Sequence, residues 1–77
     1  MSLNVVRKSY HRFPRPLTPS ERDILILLSR GLTMKEVAVE RGTTYDVIDK
    51  HMYHARMRSG TRTTPELMFK YAKGEVK

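Results

Sequence analysis

Four times in this chain a threonine is followed three residues later by an acid: Thr18 and Glu21, Thr33 and Glu36, Thr43 and Asp46, Thr63 and Glu66. That spacing is the sequence form of a helix N-terminus. The hydroxyl accepts a hydrogen bond from a backbone N–H that the helix leaves unpaired. The acid reaches back to the cap and stands at the positive end of the helix dipole. One such box arises often by chance. Four of them, each leading into an apolar pattern of helical period, direct a 77-residue chain towards a small all-α domain of four helices.

The first box opens a helix with Pro19 at its first position, where a missing N–H costs nothing. Ile24, Leu27 and Leu28 form its apolar stripe, Leu25 widens it, and Gly31 ends it. The second helix follows Thr33. Leu32 and Val37 are spaced as a hydrophobic staple, Val37, Ala38 and Arg41 lie on adjacent turns, and Gly42 stops the helix. The third starts at Thr43 or Thr44 and runs to about Ser59, with Ile48, Met52, Ala55 and Ser59 facing inward and Val47 and His51 flanking them. Its opposite face carries Tyr45, Asp46, Asp49, Lys50, Tyr53, Arg56 and Met57, and Gly60 ends it. The fourth follows Thr63, with Leu67, Met68, Tyr71 and Ala72 on one stripe, Phe69 to the side and Gly74 closing it. Strand-like alternation and repeats are absent from the pattern.

The net charge is +7, which points to a polyanionic partner, nucleic acid first. Residues 1–16 hold Arg7, Lys8, Arg12 and Arg15 and no acid, so they carry +4 and leave +3 for residues 17–77. With Pro14 and Pro16 in it, this segment reads as an extended basic arm, either a solvated tail or a strap for phosphates or a minor groove. No cysteine is present, which excludes a disulfide framework and a thiolate metal site. No apolar run approaches the length of a membrane span and no signal peptide is visible, so the expected location is the cytoplasm of a bacterium or of a phage host.

Ala38, Gly42 and Ile48 fall at relative positions 0, +4 and +10. A helix-turn-helix needs this spacing: a small residue where the helices cross, a glycine for the positive φ of the turn, and an apolar residue to lock the second helix on the first. The plainer alternative is an ordinary helical hairpin with a solvated basic face.

The segments Leu17-Thr18-Pro19-Ser20-Glu21-Arg22-Asp23-Ile24-Leu25 and Gly31-Leu32-Thr33-Met34-Lys35-Glu36-Val37-Ala38, then His51, Gly60-Thr61-Arg62-Thr63 and Glu66-Leu67, resemble the LuxR/GerE-type DNA-binding domain. The resemblance covers about residues 17–73. It implies four helices, the third in the major groove and the fourth forming a dimer contact, here through Leu67, Met68, Phe69 and Tyr71. With no receiver or ligand-binding segment, the chain is similar to the stand-alone GerE-like members. The family's base-reading positions correspond to Asp49, Lys50 and Tyr53, and Asp49 stands where lysine is usual. Ser59 replaces the usual leucine and Thr61 the usual valine, which is expected to weaken the packing of the third helix on the fourth, with Met57 as a partial substitute. The stretch from Val47 to Arg56 is also similar to the fourth region of sigma factors, which read promoter DNA with a related motif.

Sequence-specific binding of double-stranded DNA by a homodimeric transcriptional regulator is therefore expected, with a recognition helix over about residues 44–59. The expected DNA contacts are Lys35, Thr44, Tyr45, Asp46, Asp49, Lys50, Tyr53, His54, Arg56, Arg58 and Arg62. Lysine and tyrosine can reach base edges or phosphates, and the arginines around the end of the third helix can clamp phosphates. Lys35 can join the start of the second helix on a phosphate. Asp49 is repelled by phosphates but can accept from cytosine N4, so the acid implies an unusual target or a helix that no longer reads DNA in the family manner. The alternative from another class is an adaptor that uses the same scaffold to contact RNA polymerase or another regulator. His51 and His54 have helical metal-ligand spacing but no third ligand nearby, and no nucleophile–base or paired-acid set suggests catalysis. No metal, cofactor or small-molecule ligand is expected.

Overall fold

The computed structural model describes residues 16–77, which form four helices in the order α1 (Pro19–Ser29), α2 (Met34–Glu40), α3 (Tyr45–Ser59) and α4 (Thr64–Ala72). The fold is all-α, as the boxes indicate. Apart from Pro16, which is exposed, the basic arm read over residues 1–16 lies outside the described residues.

Every helix begins on a threonine whose hydroxyl accepts a backbone N–H from three residues on. Thr18 accepts from Glu21 at 3.1 Å, Thr33 from Glu36 at 3.1 Å, Thr44 from Val47 at 3.3 Å and Thr63 from Glu66 at 3.2 Å. The first two boxes are complete, because Glu21 accepts from the Thr18 N–H and Glu36 from the Thr33 N–H. The fourth is shifted by one residue: Glu66 accepts from the Arg62 N–H at 2.9 Å instead. The third box is a correction. Thr44 is the cap, so the residue three beyond it is Val47, and Asp46 falls in the first turn with no cap to reach back to. There it can favour the helix only through the dipole.

The helices stop as abruptly as they start. At the end of α2 the Gly42 N–H bonds the Val39 carbonyl and the Thr43 N–H bonds the Ala38 carbonyl, the paired closure of a Schellman motif. Gly42 has a φ of +68°, which a side chain adopts only with strain. α3 closes similarly on Gly60, with φ +74° and a Thr61 N–H bonded to the Arg56 carbonyl.

α3 is the central element and packs against α1, α2 and α4. Its residues Ile48, Met52 and Ala55 join Ile24 and Leu25 of α1, Val37 and Ala38 of α2 and Leu67 of α4 in one buried cluster. Burial of each large apolar side chain contributes roughly 1.5–3 kcal/mol. Leu25 is buried more completely than Leu27 and Leu28, which only flank the cluster. Ala72 is exposed, so the stripe of α4 ends at Tyr71. Val76, beyond the last helix, is buried in the same cluster, and the Arg22 guanidinium donates to the Leu17 and Lys77 carbonyls to tie the two ends together.

At the α3–α4 junction Ser59 and Thr61 are both buried, and their hydroxyls bond each other. Met57 is 54% exposed and makes up for neither. No helix among the described residues is long and apolar enough to cross a membrane.

Candidate nucleic-acid interface

The helix-turn-helix geometry sets what α3 can present. Ala38 is buried where α2 meets α3, Gly42 makes the turn, and Ile48 is fully buried beneath it. With the Ile48–Met52–Ala55–Ser59 stripe turned inward, the opposite face of α3 has no place to go but solvent. Tyr45, Asp46, Asp49, Lys50, Tyr53 and His54 are all exposed on it. The cap residue Thr44 is exposed at its start.

That face divides into two shallow depressions that share Lys50. One is lined by Asp46, Asp49, Lys50, Tyr53 and Arg56. The other is lined by Val47, Lys50, His51 and His54. Tyr53 and His54 meet edge to face with ring centroids 5.6 Å apart, which braces the far end of the surface. Val47, read as a flank of the core stripe, is 40% exposed and belongs to this surface. The signal for it was available: Val47 precedes Lys50 by three residues and His51 by four, so it shares their helix face.

The arginines separate into different roles. Arg62 is exposed just before α4. Arg56 is half-buried and its guanidinium donates to the Thr64 hydroxyl at 3.0 Å, which links α3 to the start of α4 while its side chain still borders the first depression. Arg58 pairs with Glu21 at 3.3 Å, and the Glu21 side chain is 2% exposed. Arg58 therefore compensates a buried carboxylate across the α1–α3 interface, a structural role its sequence position did not announce, while 31% of its side chain stays exposed. Its sequence spacing gave no hint of this, because Glu21 is 37 residues away.

Lys35 is exposed on α2 but borders a separate groove with Leu32, Glu36, Val39 and Glu40. It is not brought together with the α3 residues in either depression. Of the four residues expected at a dimer contact, Leu67 has no accessible surface at all and belongs to the domain's own core. Met68 and Tyr71 are partly buried against that core, and Phe69 is 62% exposed with the Lys73 ammonium 5.0 Å from its ring.

Fold and surface together define a small all-α helix-turn-helix domain with a mixed polar face on its second motif helix. The chain is 40% identical over 53 residues to the transcriptional regulatory protein MctR of Rhizobium johnstonii. The match takes in 69% of this chain and 25% of MctR, so the chain spans about a quarter of that relative's length. No protein-family model and no solved structure matches the chain.

Proposed function

We propose that this chain is a sequence-specific DNA-binding transcriptional regulator of the LuxR/GerE type, not an enzyme, that places α3 in the major groove of double-stranded DNA. The observation that carries the proposal is the α2–Gly42–α3 unit, which turns an exposed face centred on Lys50 outward from a chain of net charge +7. The similarity to MctR, a protein described as a transcriptional regulator, supports the same role. Lys50, Tyr53, Val47 and His54 supply donors and an apolar contact for base edges. Arg62 and Arg56 supply cations for phosphates, with Lys35 as a further cation on α2.

Affinity for duplex DNA measured against salt tests the proposal. With four or more phosphate contacts, binding is expected to weaken about 100-fold between roughly 50 and 200 mM salt. A flat dependence rejects DNA binding as the function.

A second reading has its own observation. Asp46 and Asp49 are both exposed on the α3 face and, among the described residues, neither makes an ion pair. A cationic surface of RNA polymerase or another regulator would suit them, and the chain would then be an adaptor. A partner retained from a bacterial lysate after complete nuclease digestion, together with absent duplex binding, selects this reading over the first.

A further inference from the structure

We propose that Asp49 specifies a cytosine in the DNA target. The inference rests on the DNA-binding role proposed above. Two carboxylates stand on the outer face of α3, and they are not equivalent. Asp46 is the second residue of the helix, where free N–H groups favour a negative charge. Asp49 lies three residues further on, past the first turn, where the dipole does little for it. It is exposed and, among the described residues, makes no ion pair or side-chain hydrogen bond, although Lys50 and Tyr53 border the same depression. Among the described residues, no ion pair or hydrogen bond that would stabilise the domain accounts for an acid there.

Against DNA, a carboxylate is an acceptor with no donor, and the base edges sort sharply under that condition. Phosphates repel it. Guanine shows it N7 and O6 and thymine shows it O4, all acceptors. Adenine offers its N6 amino group with the N7 acceptor alongside. Cytosine offers its N4 amino group with no acceptor beside it on that base. Cytosine is thus the one edge that satisfies a carboxylate without an opposing lone pair. Lys50 adds the complement, since the guanine paired with that cytosine presents O6 and N7 to a cation. An acceptor and a cation side by side in one depression match the donor and acceptors of a single C·G pair.

Selection of bound sequences from a random duplex library tests this with the full chain and its Asp49→Asn and Asp49→Ala variants, each verified as helical by circular dichroism. The unaltered chain is expected to enrich cytosine at a fixed position of its site, and exchange of that pair is expected to weaken binding about 5- to 100-fold. Asparagine carries both a donor and an acceptor and suits adenine N6 and N7. Asp49→Asn is therefore expected to move that position from cytosine to adenine, and Asp49→Ala to flatten it, with the flanking positions unchanged. A selected motif without a fixed cytosine, or a cytosine preference that survives both substitutions, overturns the inference and leaves DNA binding standing. Failure of the unaltered chain to retain any duplex at low salt overturns the DNA-binding role itself.

Discussion

The hydroxyls of Ser59 and Thr61 lie 2.9 Å apart inside the α3–α4 junction, and both side chains are buried. Ser59 also bonds the Ala55 carbonyl at 2.8 Å, which occupies its single hydrogen, so Thr61 is the donor of the pair. The two residues form one polar unit in place of an apolar contact. Ser59→Ala is expected to cost about 1–2 kcal/mol, because it leaves the buried Thr61 O–H without an acceptor. Adding Thr61→Val removes that orphan, so the double variant is expected to be more stable than Ser59→Ala alone. Urea unfolding of the four members of the cycle checks this, with a coupling of about 0.5–1.5 kcal/mol expected. Simple additivity would show that the two hydroxyls act independently.

The Glu21–Arg58 pair makes a second separation. Glu21 closes the capping box of α1 and also receives the Arg58 guanidinium from α3. Arg58→Ala strips a cation from a buried carboxylate and is expected to destabilise the domain by about 1–3 kcal/mol. Arg62→Ala removes an exposed side chain and is expected to stay within about 0.5 kcal/mol. In DNA binding the order reverses: Arg62→Ala is expected to reduce the salt slope by about one contact, and Arg58→Ala to leave it unchanged while the domain is folded. Equal slopes for both variants would refute this division of roles.

Thr43 and Thr44 give a direct contrast at the start of α3. The hydroxyl of Thr44 accepts from Val47, so Thr44→Ala is expected to cost about 0.5–1 kcal/mol, towards the lower end because the bond is 3.3 Å long. Thr43→Ala removes no cap and is expected to be close to neutral. Thermal unfolding of the two variants side by side decides the register of this helix, and a larger loss at Thr43 would contradict it.

Much of the framework was legible from local rules. Threonine caps, glycine stops and the Ala38–Gly42–Ile48 spacing depend on residues within ten positions of one another, and the inward stripe of α3 follows from its period. What stayed hidden involves contacts between distant segments. Arg58 belongs to Glu21 because α1 and α3 pack together, and Val76 belongs to the core because the tail returns to it. The third box misled for a different reason. Adjacent threonines allow two registers, and the side-chain pattern of Thr43–Asp46 matches the box while the backbone caps at Thr44. On the candidate interface, the exposed face of α3 was predictable from its opposite. The sorting of its cations into surface and structural groups was not, because that depends on which neighbour each guanidinium meets.

Leu67 and Phe69 offer the sharpest test of the dimer that the LuxR/GerE resemblance implies. They are two residues apart on α4 and therefore face different directions. Leu67 is fully buried, and Leu67→Ala is expected to cost about 2–5 kcal/mol, a large share of the stability of so small a domain. Any loss of association in that variant would follow from unfolding. Phe69 is 62% exposed, with the Lys73 ammonium 5.0 Å from its ring centroid. If α4 pairs with a second copy of the chain, Phe69→Ala is expected to leave the monomer's unfolding midpoint nearly unchanged and to raise the dimer dissociation constant about tenfold or more, as loss of a buried aromatic anchor does. Analytical ultracentrifugation over a concentration series, with and without duplex, measures it. Identical self-association of the unaltered chain and Phe69→Ala would remove this residue, an exposed large apolar side chain of α4, from the expected dimer contact.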